Sequence, residues 1–218
     1  MNFIRGENAF LNTPHFFLVL LFCMPLLGVG VVFNSPSLAD SDSEAKVFIE
    51  GLAEEALVSL TGEGMSKEDR REQFRVLMLK KFAFKVIAKW VLGRHWRTST
   101  EKEKEEYLTL FEDLMVVTYA DRFAKYSGEK LIIGKAEIRG KRDSLVHSTL
   151  SRSEGAQPVN IAWRVRKTDE IYKVVDVMVE GISMGIAQKK EFSSVIRTNG
   201  GKVSGLLDEL RKRLASTS

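Results

Sequence analysis

The spacing of apolar positions changes from a helical to an alternating period and back again along this chain. Residues 42–60 set Val47, Phe48, Leu52, Ala56 and Leu60 among charges at helical spacing, and Thr61-Gly62-Glu63-Gly64 closes the segment. Ser66 followed by Glu68 and Asp69 reads as an N-cap with an acidic first turn. The helix it opens carries Phe74, Leu77, Met78 and Phe82 on one stripe. A further apolar stretch, Phe84 to Leu92, reaches a stop at Gly93. Thr98-Ser99-Thr100 with Glu103 forms a capping signal for a long helix running to about Tyr126. Tyr107, Phe111, Leu114, Met115, Tyr119 and Phe123 share one side of it.

From residue 130 the period becomes two. Residues 130–139, 144–152, 158–167 and 171–180 read as strands joined by short polar turns. In the third, Val159, Ile161, Trp163 and Val165 alternate with Asn160, Ala162, Arg164 and Arg166, which gives one apolar and one wet face. In the fourth, Val175, Val177 and Val179 are expected opposite Asp176, Met178 and Glu180. Helices follow at about 186–198 and 202–215, separated by Asn199-Gly200-Gly201. Strands linked this closely form an antiparallel meander, since parallel pairs need long crossovers. The pattern predicts an α+β fold: a four-stranded antiparallel sheet packed against N-terminal and C-terminal helices. A sheet facing long aromatic-rich helices can be filled by ordinary core packing, or it can enclose an apolar cavity.

Composition narrows the class. The 218 residues are 44% apolar and 28% charged, with a net charge of +4. That describes one globular domain and excludes a disordered or collagenous chain. The single cysteine excludes an internal disulfide, and the mild charge argues against a nucleic-acid binder. The N-terminus changes the picture more. Arg5 precedes an apolar run from Phe16 to Phe33, and Ser37-Leu38-Ala39 leads into a charged chain at Asp40. These are the parts of an export signal over residues 1–39, with cleavage expected after Ala39 and a mature domain over 40–218. The competing reading is a retained anchor, which the length of the run allows. Cleavage would remove Arg5, Glu7 and Cys23, leaving the net charge unchanged and the mature chain free of thiols.

The search for reactive groups gives little. His95 and His147 are far apart in sequence, and neither has a ligand partner at i+3 or i+4. No phosphate-binding glycine loop and no G-x-S-x-G elbow is present. Asp176 and Glu180 share a strand side and could act as an acid/base pair, but a wet strand face explains them as well. His147 has the same two readings. Basic residues recur at Lys80, Lys81, Lys85, Lys89, Arg94, Arg97, Lys189 and Lys190, and again at Arg211-Lys212-Arg213. They are either solvated helix faces or a rim for anionic headgroups or an acidic partner.

Three stretches carry a family resemblance. Ile87-Ala88-Lys89-Trp90-Val91-Leu92-Gly93-Arg94-His95-Trp96-Arg97 is similar to an "I-A-R-x-V-L-G-x-x-W-R" segment. Tyr119-Ala120 is followed by Tyr126-Ser127-Gly128. Tyr172 through Met184 contains Asp176-Val177-Met178-Val179-Glu180-Gly181-Ile182-Ser183, similar to "D-V-x-V-E-G-x-S". Phe192 and the Gly200/Gly201, Leu206-Leu207 and Leu210 pattern agree, so the match spans roughly residues 45–215. In these motifs the chain resembles the MlaC or toluene-tolerance family, the periplasmic auxiliary components of Mla-type ABC lipid transport systems, which include hopanoid-associated members. Lys89 and Lys190 stand where the family more often has arginine, and Lys85 stands where an acidic residue is expected.

The resemblance implies a non-enzymatic periplasmic carrier without a cofactor. Such a carrier would hold the acyl tails of a phospholipid in a hydrophobic cavity. It would pass lipid between an outer-membrane lipoprotein complex and an inner-membrane ABC transporter bearing an MCE-domain protein, with no nucleic acid involved. The helix residues expected at the cavity are Phe84, Ile87, Trp90 and Val91, with Phe111, Leu114, Met115 and Tyr119 from the long helix. The strand residues expected there are Val159, Ile161, Trp163, Val175, Val177 and Val179. A hopanoid-like cargo, an exported enzyme using His147 or Asp176, and a protein-binding module without cargo are the alternatives. In the turn after the fourth strand, Gly181 is expected to adopt a conformation suited to glycine. Asp176 and Glu180 are expected to bond neighbouring groups in structural roles.

Overall fold

The computed structural model describes residues 38–152 and 157–217, with side chains from 42 onward. The expected export segment therefore lies outside the described residues, except for Leu38 and Ala39, which open the first helix.

Helices α1 (Leu38–Leu60), α2 (Lys67–Lys81), α3 (Phe84–Leu92), α4 (His95–Thr98) and α5 (Glu101–Phe123) precede the sheet. Strands β1 (Lys130–Arg139), β2 (Asp143–Ser151), β3 (Val159–Thr168), β4 (Ile171–Val179) and β5 (Ile182–Ser183) follow, and α6 (Met184–Thr198) and α7 (Val203–Ala215) end the order. The starts of α2 and α5 are set by local chemistry. Ser66 Oγ accepts from the Asp69 N–H at 3.0 Å. Thr100 and Glu103 form a reciprocal capping box. The one-turn helix α4 was not foreseen.

The sheet is a five-stranded antiparallel meander in the order β1-β2-β3-β4-β5. Four strands were expected. The fifth has two residues, Ile182 and Ser183, pairing with Val179 and Met178, too few for an alternating pattern to show in sequence. The β3–β4 turn has Asp169 and Glu170 at φ 47° and 62°. The β4–β5 turn has Glu180 and Gly181 at φ 49° and 77°. Two consecutive left-handed residues match the right-handed twist of the flanking strands. Gly181 behaves as expected, and Glu180 shares its conformation.

One expectation within β4 fails. One extra residue on β4 lies between the pairs Arg164↔Asp176 and Val165↔Val174, which makes a bulge. The alternation shifts by one, so Val174, at 0% exposure, faces the core opposite Val165, and Val175 occupies the bulge.

Two apolar clusters hold the domain. In the first, Ala45, Ile49, Leu52 and Leu60 of α1, with Leu77 of α2, cover Val146, Val165 and Val174 of the sheet. The second is helical: α3, α5, α6 and α7 meet through Ala88, Tyr107, Phe111, Phe192, Leu206 and Leu210. Phe84 and Tyr107 both stack on Phe111 at 5.7 Å, and Phe192 meets Phe111 edge-on at 5.4 Å. The Tyr107 hydroxyl, buried here, donates to Ala88 O at 3.0 Å, and burial raises its pKa. Phe74 and Phe82 touch both clusters and join them.

Candidate functional site

Residues directly opposite each other in an antiparallel sheet point to the same face, so the strand register defines what that face presents. Ala136, Val146, Trp163 and Val177 align on the core face. The next row toward the chain-reversal end is Ile133, Ser148, Ile161, Val179 and Ile182. Beyond it lies Leu131, Leu150 and Val159. A bulge on β1 between Ile133 and Ala136 keeps both of those residues on this face.

These last two rows differ from the rest of the sheet. Leu131, Leu150, Val159, Ile161 and Val179 are half-buried and belong to neither apolar cluster. They form an apolar strip that the protein's own core does not fill. The one polar group inside it is satisfied: Trp163 Nε1 donates to Ser148 Oγ at 2.9 Å, and that hydroxyl donates to Ile161 O at 3.2 Å. The opposite face is wet. There Asp143, only 7% exposed, accepts from Arg166 Nε at 2.6 Å and Arg164 Nε at 2.8 Å. The Arg166 contact holds its carboxyl below the usual range, against the opposing effect of burial.

The strip is framed by a polar brace at one edge. Asp176 Oδ1 accepts from the Val177 N–H at 2.9 Å and the Gly185 N–H at 3.2 Å, and Oδ2 accepts from Ser183 Oγ at 2.6 Å. This ties the first turn of α6 to β4. Glu180 Oε1 accepts from the Asn160 N–H at 2.6 Å and fastens the β4–β5 turn to β3. Both carboxylates make structural bonds of the kind expected.

The fourteen residues expected at a cavity separate into groups. Val159, Ile161, Trp163, Val177 and Val179 do come together on one sheet face. Phe84, Val91 and Phe111 are buried members of the helical cluster, with Ile87, Leu114 and Met115 packed at its border. Tyr119 belongs to neither cluster and carries the Arg122 guanidinium 4.9 Å above its ring. Trp90 is 43% exposed and stands outside the core. Val175 is at the bulge. Leu131, Ile133, Ser148 and Leu150 were not singled out. Their strands were legible, but only the pairing register shows that they continue the same rows.

Two shallow recesses lie elsewhere, one beside Gly62–Gly64 and Met65, the other between α1 and Ala136. Neither involves any of the fourteen. Among the described residues no three His, Cys, Asp or Glu side chains gather as a cation site. No described helix is long and apolar enough to cross a membrane. His147 Nε2 is buried and unbonded, 3.6 Å from Glu137 Oε1.

The fold is shared with a phospholipid-binding protein from Ralstonia solanacearum, solved in complex with a phospholipid. That likeness has a TM-score of 0.71 and 22% identity, covering 79% of this chain and 98% of that one. The intermembrane phospholipid transport system binding protein MlaC of Haemophilus influenzae is 22% identical over 113 residues, 50% of this chain. The match spans about half the length of that relative, 53%. The MlaC protein family model matches residues 50–212, well over half of the sequence. With the motifs around Trp90 and Asp176 inside that span, the chain belongs to the MlaC family.

Proposed function

We propose that this protein is a periplasmic phospholipid carrier that holds acyl tails against the apolar strip of its sheet. The observation that supports this most directly is the group Leu131, Leu150, Val159, Ile161 and Val179 on one sheet face, apolar, half-buried and outside both core clusters. Family membership and the lipid-related descriptions of the two relatives point the same way.

The physical need is large. Exposing a methylene to water costs about 0.8 kcal/mol, so two acyl tails with about thirty of them cost on the order of 20 kcal/mol to move through water bare. An apolar strip on the sheet replaces the membrane interior, and exchange between bilayer and carrier becomes nearly neutral. No bond is made or broken, so the mechanism requires no nucleophile, general base or metal. In this reading Val159, Ile161, Trp163, Val177 and Val179 contact the tails. Residues 1–39 direct export and are removed. Lipid then passes between an outer-membrane lipoprotein complex and an inner-membrane transporter with an MCE-domain protein. A hopanoid-like cargo would use the same strip.

Native mass spectrometry of the protein, expressed with its N-terminal segment and purified without detergent, tests this. A mass excess lost on organic extraction, with lipid in the extract, is the expected result and identifies the cargo class. A bare protein mass that stays bare after incubation with liposomes overturns the proposal.

A further inference from the structure

Most basic clusters in this domain are neutralised. Arg71 pairs with Asp121, Arg75 with Glu112 and Asp113, Arg164 and Arg166 with Asp143, Arg211 with Glu106 and Asp208, and Arg213 with Glu191 and Glu209. Two segments depart from this pattern. Residues 84–98 contain Lys85, Lys89, Arg94 and Arg97, residues 181–190 contain Lys189 and Lys190, and neither segment has an acidic residue. Among the described residues none of these six is in an ion pair. The nearby carboxylate of Asp176 is occupied by Ser183 and Gly185.

The two segments form one surface. Gly185 lies so close to Trp90 that a β-carbon there would stand 2.7 Å from Trp90 Cζ3. Lys189 Nζ lies 4.9 Å from the Trp90 ring centroid, a cation–π contact joining α6 to α3. The same surface exposes large apolar side chains: Val86 at 55%, Trp90 at 43%, Ile182 at 61% and Ile186 at 46%. Val86 and Trp90 are one turn apart on α3, Ile186 lies in the first turn of α6, and Ile182 is in β5 just before it. An exposed tryptophan with aliphatic neighbours, carrying Lys189 on its ring in two segments whose basic residues are uncompensated, suits the boundary between anionic headgroups and acyl chains. The surface also meets the apolar strip, because Ile182 is the outer end of the row Ile133, Ser148, Ile161, Val179.

We propose that the α3–α6 face docks the protein on an anionic bilayer surface, with Trp90, Ile182 and Ile186 entering the headgroup boundary and the six basic residues binding lipid phosphates. Docked so, the open end of the apolar row abuts the membrane. This last consequence rests on the carrier reading, and the docking itself does not.

The test is co-flotation of the exported protein, expressed with its N-terminal segment and purified without detergent, with phosphatidylcholine vesicles with or without 30% phosphatidylglycerol, paired with hydrogen–deuterium exchange on the same mixtures. The wild type is expected to float with the anionic vesicles far more than with the neutral ones, with the difference shrinking at high salt. Added protection is expected in peptides from 84–98 and 181–190 and not in β2. The Lys85→Glu/Arg94→Glu/Lys190→Glu variant is expected to lose at least about tenfold in anionic-vesicle partition at an unchanged Tm. Ile186→Ser is expected to weaken binding several-fold without unfolding, since that side chain is exposed. Equal partition of wild type and charge-reversed protein, or protection appearing elsewhere, overturns the proposal. So does absence of anionic-vesicle binding by the wild type, which reassigns the face to an acidic protein. Lipid co-purified in the same preparations reports on the carrier reading separately: its absence with normal flotation would remove that reading and leave the docking face.

Discussion

The indole N–H of Trp163 is bonded to the hydroxyl of Ser148 on the neighbouring strand, 2.9 Å away, in the middle of an otherwise apolar sheet face. The pair is diagonal across β2 and β3, since Ser148 itself stands opposite Ile161. One hydroxyl thereby makes a large polar-tipped ring tolerable at the inner end of the strip.

Ser148→Ala leaves that N–H half-buried and unbonded. A loss of about 1–3 kcal/mol is expected, read as a lower Tm. The double variant Ser148→Ala/Trp163→Phe removes both partners and is expected to recover part of the loss. A fall in Tm as large as that of Ser148→Ala plus that of Trp163→Phe would mean the bond contributes nothing.

Asp143 should dominate part of the acid limb of stability. Its folded pKa is depressed by Arg166 and Arg164. A group depressed in this way contributes stability above its unfolded value, near 3.8, and loses it as pH falls through the folded value. Tm measured between about pH 6 and pH 2 is expected to fall more steeply for the wild type below about pH 4 than for Asp143→Asn. The variant should be the less stable at neutral pH, because two guanidinium groups lose their shared partner. Parallel curves would show that the pair is not coupled to folding.

The β3–β4 turn places Asp169 and Glu170 both at positive φ, a geometry that suits asparagine followed by glycine. Glu170→Gly is expected to raise stability by about 0.5–1 kcal/mol, or about 1–4 °C in Tm. The Lys167–Glu170 pair it removes is exposed and worth little. A lower Tm would mean that this pair outweighs the backbone strain.

Ile161 and Ile196 provide a contrast between strip and core. Ile161→Asn alters the strip, outside both clusters, and is expected to reduce co-purified lipid by about tenfold or more with a change in Tm of only a few degrees. Ile196→Asn sits in the helical cluster at 1% exposure and is expected to prevent folding. Lipid retained in full by Ile161→Asn would place the tails elsewhere.

Much of the fold was legible because its signals are local. Ser66 and Thr100 announce their helices through side chains three residues away, and the alternation Val159, Ile161, Trp163 needs only one strand. What escaped depends on pairing. The bulge that turns Val174 inward and displaces Val175 exists only relative to β3. The two-residue β5 carries no period of its own. The continuation of the Ile161 row into Ser148 and Ile133 is a fact about register. The helix stripes show a similar limit. Phe84, Val91 and Phe111 look the same in sequence whether an apolar stripe meets a ligand or another helix, and here they join a helical cluster in which α6 supplies Phe192 against Phe111.

That last arrangement sets an order of events during synthesis. The helical cluster joins Ala88, Tyr107 and Phe111 to Phe192, Leu206 and Leu210, with the entire sheet lying between them in the chain. A polypeptide emerging from its N-terminal end exposes the aromatic sides of α3 and α5 until all five strands and two further helices have followed. The sheet and α1 can close early, but the helices cannot. The nascent protein therefore passes through a stage in which half its interior is finished and the other half is open to any chaperone that binds aromatic surface.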